Sequence, residues 1–248
     1  MENSSFYVTC PSNASMNIYR DNTLSSYKIN MPKRIYLKHN YEVGLAEIQY
    51  PVTWNTMPST DALEIMYEDK LARINIEPRM FNNILELVTY VDKKAEAVSI
   101  EHDFDRNAVN LRRHQDKIFY SLMDGVKIRR TRGLAQAFGF IGDMWLEDRG
   151  LSTYPYDVRR GFHSMYVYCN VVDSQIVGDT FAPLLRTISV RGNRGDVINE
   201  TFDRPHYVPV NTDEISTIEI NIKDDTGDDV SFQSGKVLCK LHFRQRSI

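Results

Sequence analysis

Alternation of apolar and polar side chains dominates both ends of this chain and gives way to a different period in the middle. In "YKINM", Tyr27, Ile29 and Met31 alternate with Lys28 and Asn30, the period of a strand with one dry face. "YEVGLAEIQYP" is apolar on both parities until Pro51 and reads as a central strand. "DALEIMYED" and "ARINIEP" follow; in the second, Ala72, Ile74 and Ile76 share one face while Arg73, Asn75 and Glu77 share the other. Near the C-terminus Ile218, Ile220 and Ile222 alternate with Thr217, Glu219 and Asn221, and Val237, Cys239, Leu241 and Phe243 line a single face of the next strand. The polar, Gly-containing "KDDTGDDV" between those two strands predicts a long-looped hairpin.

The period changes at Phe81, where apolar residues recur at Ile84, Leu85, Val88 and Val91. That spacing predicts an amphipathic helix at about 80 to 93. Strands are expected at "AVSIEHDF", "AVNLRR" and "KIFYSLM", then a short helix at "GLAQAFGF". Without a regular βαβ alternation a parallel sheet is disfavoured. The fold class is therefore mainly β, an antiparallel two-sheet sandwich carrying an α+β insertion. The expected division is a discontinuous sandwich domain, 1–77 with 160–248, and a helix, strand, helix insertion at 78–159.

Composition narrows the function classes. Fourteen tyrosines and eleven phenylalanines suit pleated surfaces, and a net charge of -3 argues against a surface built throughout to neutralise phosphates. Three cysteines at unpatterned spacing propose neither a disulfide framework nor a zinc site. The N-terminal stretch carries no basic region followed by an apolar one, so secretion by a signal peptide is not expected. No run approaches the roughly 18 apolar residues of a membrane span.

The densest apolar stretch, "MYVYCNVVDSQIVGD", places Cys169 downstream of His163. On one strand the two share a face but stand roughly 20 Å apart, too far for a nucleophile and its base. Cys169 reads as a buried small hydrophobe. Met165, Val167 and Cys169 should face one way and Tyr166, Tyr168 and Val172 the other, an inner strand whose second face is covered by the insertion or by a neighbouring subunit. "HDFD" puts Asp103 and Asp105 on one face, and "DDTGDD" gathers four acids around Gly227 without the EF-hand spacing or closing Glu; both read as solvated. "SGKV" lacks the glycine and the hydroxyl of a phosphate loop, with Val230 and Val237 in those places. The six histidines show no metal-ligand spacing. The expectation is accordingly no catalytic residue, no metal, no cofactor and no enzyme.

Two surface candidates remain. The run Lys127, Arg129, Arg130 and Arg132 could meet a polyanion or an acidic neighbouring subunit, against the plainer reading of a solvated segment. Arg194, Gly195 and Asp196 spell the tripeptide that resembles integrin-binding loops of some viral surface proteins, within "RGNRGDV", which also reads as a tight turn.

Several blocks carry a family resemblance. "NTLSSYKINMPKRIYLKHNYEVGLAEIQYP", "MYVYCNVVDSQIVGDTFAPLLR", "HYVPVNTDEISTIEINIKDDTG" and "GKVLCKLHF" together resemble the penton, or minor capsid, proteins of Maverick/Polinton elements, virus-like DNA transposons related to virophages and adenovirus-like viruses. The resemblance runs from about Phe6 to Phe243. It implies a single jelly roll that forms homopentamers at the fivefold vertices of an icosahedral capsid. The implied partners are further copies of itself, the major capsid protein of the same element, and a fibre or host receptor, with no membrane and no specific nucleic acid. The implied location is the virion, assembled inside the host cell. One departure is Phe138 in "LAQAFGF", where an aliphatic residue is expected. A chain of 248 residues holds one set of eight strands, not the roughly sixteen of a double jelly roll. The rival readings are a carbohydrate- or ligand-binding lectin-like sandwich and a cupin-like jelly-roll enzyme, the latter needing a His/carboxylate metal cluster.

Overall fold

The computed structural model describes residues 5–37, 40–57, 61–102, 105–142 and 144–246. In chain order the elements are β1 (Ser5–Pro11), β2 (Ser26–Tyr36), β3 (Tyr41–Pro51), β4 (Asp61–Tyr67), β5 (Lys70–Ile76), α1 (Ile84–Glu101), β6 (Val109–His114), β7 (Lys117–Leu122), β8 (Val126–Arg130) and α2 (Arg132–Phe138). They continue with β9 (Arg149–Leu151), β10 (Ser164–Cys169), β11 (Gln175–Val177), β12 (Thr180–Ala182), β13 (Leu184–Ser189), β14 (Val197–Thr201), β15 (Val208–Pro209), β16 (Glu214–Lys223) and β17 (Leu238–Gln245). The chain divides into two compact units, Met1–Thr53 with Phe162–Ile248, and Trp54–Gly161.

The first unit is a single jelly roll. One sheet runs β1-β17-β3-β14, with β15 also on β3, and the other runs β13-β10-β16-β2. Every pairing is antiparallel. Strands that follow one another along the chain mostly lie in opposite sheets: β1, β3, β14 and β17 in one, β2, β10, β13 and β16 in the other. Ile218, Ile220 and Ile222 of β16 and Leu241 and Phe243 of β17 are fully buried, as the alternation required. The predicted hairpin between them does not form. β16 pairs with β10 and β2, whereas β17 pairs with β1 and β3, so residues 224–237 carry the chain from one sheet to the other. Alternation dictates which face is dry but not which strand lies alongside.

The two-parity pattern of β3 has a local cause. Register places Leu241 opposite Leu45 and Lys240 opposite Glu47, leaving Ala46 as an extra residue. The buried set switches there from Val43 and Leu45 to Ile48 and Tyr50. A β-bulge, with two residues facing one, produces that switch.

The second unit has its own core. Strands β5-β4-β8 form one sheet and β6-β7-β9 another. Leu63, Ile65, Ile74 and Ile76 pack in one cluster with Phe81, Leu87, Val91, Ile118, Leu134 and Phe138. Phe138, the residue out of pattern in the resemblance, is fully buried here. The expected boundary at 77/78 falls inside this unit, because β4 and β5 pair with β8 and share its core; the division lies between Thr53 and Trp54 and between Gly161 and Phe162.

The helix also differs from expectation. It spans Ile84–Glu101, so "AVSIE" forms its last turns and not a strand, while Asp103 and Phe104 lie outside the described residues. Buried Ile84, Leu87, Val88, Val91, Ala95 and Ser99 continue one helical face. Leu85 and Ile100 are exposed on the other side. The small residues Ala95 and Ser99 extend the stripe without the bulk that would announce it. At its start, the Asn83 side chain accepts the Glu86 N–H at 3.0 Å and Glu86 accepts the Asn82 N–H at 2.9 Å, a reciprocal cap.

Candidate functional site

Strand β10 carries Cys169 on its inward face. Met165, Val167 and Cys169 are fully buried on its inward face, flanked by β13 and β16. Cys10 and Cys239 stand directly opposite one another on β1 and β17 and are buried as well. Tyr27 of the other sheet donates its hydroxyl to the Cys10 carbonyl at 3.1 Å, so the thiols lie between the two sheets. Burial pushes the Cys169 and Cys239 thiols up to about 12, and pushes Cys10 well above the ordinary thiol range. Thiols so placed stay protonated near neutral pH and make poor nucleophiles. His163 is exposed before the strand begins, with its N–H donating to Asp225 at 3.2 Å. The opposite face of β10 is only half covered, since Tyr166 and Tyr168 are partly exposed. Burial holds the Tyr166 hydroxyl above its ordinary range, aided by the Asp225 carboxylate.

The basic run is divided by its own strand. Lys127 and Arg129 alternate along β8 with buried Ile128 and Arg130. Lys127 pairs with Glu147, and Arg129 grips Glu64 at 2.6 and 2.8 Å while lying over the Trp145 ring. Arg130 is 2% exposed, its guanidinium 4.3 Å from the centre of the Phe140 ring. Arg132 is exposed at the start of α2. The four cations are thus not gathered on one face.

Arg194, Gly195 and Asp196 form an exposed turn leading into β14. Gly195 adopts φ +87° and donates its N–H to the Val52 carbonyl at 3.0 Å. The Asp196 carboxylate accepts the Asn193 N–H at 2.7 Å, and its own N–H donates back to Asn193. The aspartate therefore holds the turn together while Arg194 reaches into solvent.

The acidic loop is likewise engaged internally. Asp224 accepts from the Thr226 N–H and hydroxyl and from the Asp228 N–H, and Lys223 donates to the Gly227 carbonyl and to Asp229. Asp105 accepts the Asn107 N–H at 2.7 Å; Asp103 lies outside the described residues. Among the described residues no three His, Cys, Asp or Glu side chains converge where a metal ion could be held.

One surface went unread in the sequence. β11 and β12 form a two-residue hairpin whose facing pair, Ile176 and Phe181, is 73% and 74% exposed. The signal was present in "QIVGDTFA", where Gly178 supplies the positive φ that such a turn requires. A two-stranded ribbon with a bare apolar pair is marginal on its own in water.

No protein-family model matches the chain, and no curated protein does. Among solved structures, the crystal structure of the mavirus penton protein matches with a TM-score of 0.54 at 11% sequence identity, covering 98% of this chain and 100% of that one. At that identity the likeness is one of fold, and it extends over both units of this chain.

Proposed function

We propose that this protein is a capsid vertex protein. It assembles as a homopentamer that closes the fivefold vertices of an icosahedral shell, in contact with the major capsid protein of a Maverick/Polinton-like element. The observation that carries this reading is the likeness to a penton protein over 98% of one chain and 100% of the other, which includes the insertion as well as the jelly roll. The exposed Ile176 and Phe181 pair supports it, since apolar side chains on a projecting hairpin suit a subunit contact. Rings need two different patches that meet head to tail, and the turn bearing Met16 and Ile18, 45% and 54% exposed, is a second apolar patch on the same unit. Light scattering on a sizing column, with negative-stain images of the peak, tests the proposal. The expected result is a fivefold ring of about 144 kDa, five times the 28.8 kDa of one chain. A monomer at every concentration overturns it.

A further inference from the structure

Cross-strand register exposes an anomaly in charge. On the jelly-roll sheets Arg244 faces Glu42, Lys240 faces Glu47 and Lys28 faces Glu219, each a direct register partner and an ion pair. On β5-β4-β8 both Arg73 and Arg129 face and pair with Glu64. The β6-β7-β9 sheet breaks this rule. Its inner face is dry, with Val109, Leu111, Ile118 and Tyr120 buried. Register then places on the outer face the rows Arg112, Phe119 and Leu151; Asn110, Ser121 and Arg149; and His114 opposite Lys117. None of these positions is acidic, and no carboxylate pairs with Arg112, Lys117 or Arg149 among the described residues. The nearest acids in sequence, Asp116 in the β6–β7 turn and Asp148 just before β9, form no ion pair with them. Lys117 donates to the Thr153 carbonyl at 3.1 Å, so its charge is bonded without being neutralised; in a chain of net charge -3, a face of cations without a carboxylate partner suits an anion from outside.

We propose that this face binds a linear sulfated polysaccharide. Nucleic-acid platforms of this shape combine cations with bare aromatic rings on which bases stack. Here the one ring, Phe119, is already covered by the Arg112 guanidinium, 4.5 Å from its centre. What the face offers instead is separated point charges with the amide of Asn110 and the hydroxyl of Ser121 between them, donors suited to sulfates and sugar hydroxyls. Strand spacing and rise put Arg112 and Arg149 roughly 12 Å apart on either side of β7, a reach that a chain can bridge and an isolated ion cannot.

The proposal does not depend on the vertex reading and is tested on the full chain by calorimetric titration with a heparin oligosaccharide at two salt concentrations. Binding that weakens with salt is expected, and the Arg112→Gln/Arg149→Gln double variant should bind at least about tenfold more weakly. The ion-paired control Arg73→Gln/Lys127→Gln should bind as the parent does. Arg149→Glu alone repeats the test at a side chain that forms no hydrogen bond or ion pair among the described residues, should the double variant be unstable. No binding, binding that the Arg149→Glu and double variants leave intact, or tighter binding of a length-matched oligodeoxythymidylate each overturns the proposal, the last in favour of nucleic acid.

Discussion

The two units build sheets from the same alternating segments by opposite routes. In the inserted unit each sheet is built on a local hairpin: β4 pairs with β5 and β6 with β7 across two-residue turns, while β8 and β9 join them from farther along the chain. In the jelly roll β1 pairs with β17, β2 with β16 and β3 with β17, so its sheets close only when the two ends of the chain meet. The difference teaches that a strand's face is a local property while its partner is a global one. Non-local pairing also makes a domain slow to fold, so the inserted unit is expected to acquire protection first.

The strongest test removes one large side chain from each core. Phe243→Ala in the jelly roll and Phe81→Ala in the inserted unit each delete a buried ring and should cost about 3 to 5 kcal/mol. Hydrogen exchange then separates them. Phe243→Ala should raise exchange in β1, β3 and β17, and Phe81→Ala in α1, β4 and β5. A uniform rise through the whole chain in both variants would show that the two cores open as one and would break the comparison.

A smaller effect is expected at the end of α2. Gly139 sits at φ +78°, and a Cβ there would lie 2.2 Å from the Tyr154 carbonyl oxygen. Gly139→Ala combines the left-handed penalty with a backbone clash and should cost about 2 kcal/mol or more, read as a lower midpoint in urea. Gly142, at φ +65° with open space around it, is the control and should lose only about 1 kcal/mol. Equal losses at the two glycines would show that the backbone gives way around Tyr154.

These contrasts bear on what the sequence could disclose. Faces were legible wherever bulky residues alternate, as at Ile218, Ile220 and Ile222, and the sandwich with its insertion follows from them. Partners were not, which is why β16 and β17 looked like a hairpin. The last turns of α1 were hidden because Val98 and Ile100 alternate with Ala97 and Ser99 like a strand, whereas the buried member is Ser99, at 1% exposure. β1 drew no attention in the sequence, although Cys10 only makes sense opposite Cys239. The basic face of β6-β7-β9 is invisible without register, since its cations come from three separate segments.

The three thiols sharpen the comparison through pH. Their pKa values are raised on folding, so the folded state holds protons that the unfolded chain releases. The stability they contribute is complete below the ordinary thiol value of about 9 and is lost as pH rises toward about 12. Cys169→Ala should lower stability at pH 7 by about 1 to 2 kcal/mol through the lost packing and make the alkaline decline shallower. The parent should resist a thiol reagent at pH 8 until denaturant is added. Rapid labelling of the folded protein would sink the buried-thiol account.

The smallest effect probes a hydroxyl that links the two jelly-roll sheets. Tyr27 is 1% exposed and its ring lies between the sheets, with the hydroxyl on the Cys10 carbonyl at 3.1 Å. Tyr27→Phe keeps the ring and its burial while deleting the hydroxyl's bond to the Cys10 carbonyl and its contact with the Cys239 thiol, so the loss should be about 1 to 2 kcal/mol and not the larger cost of a cavity. Exchange should rise at β1, the edge strand that the bond anchors, and leave the inserted unit unchanged. A loss above about 3 kcal/mol would mean that the hydroxyl organises the thiol layer as a whole, and the division between packing and polar contributions in this core would have to be redrawn.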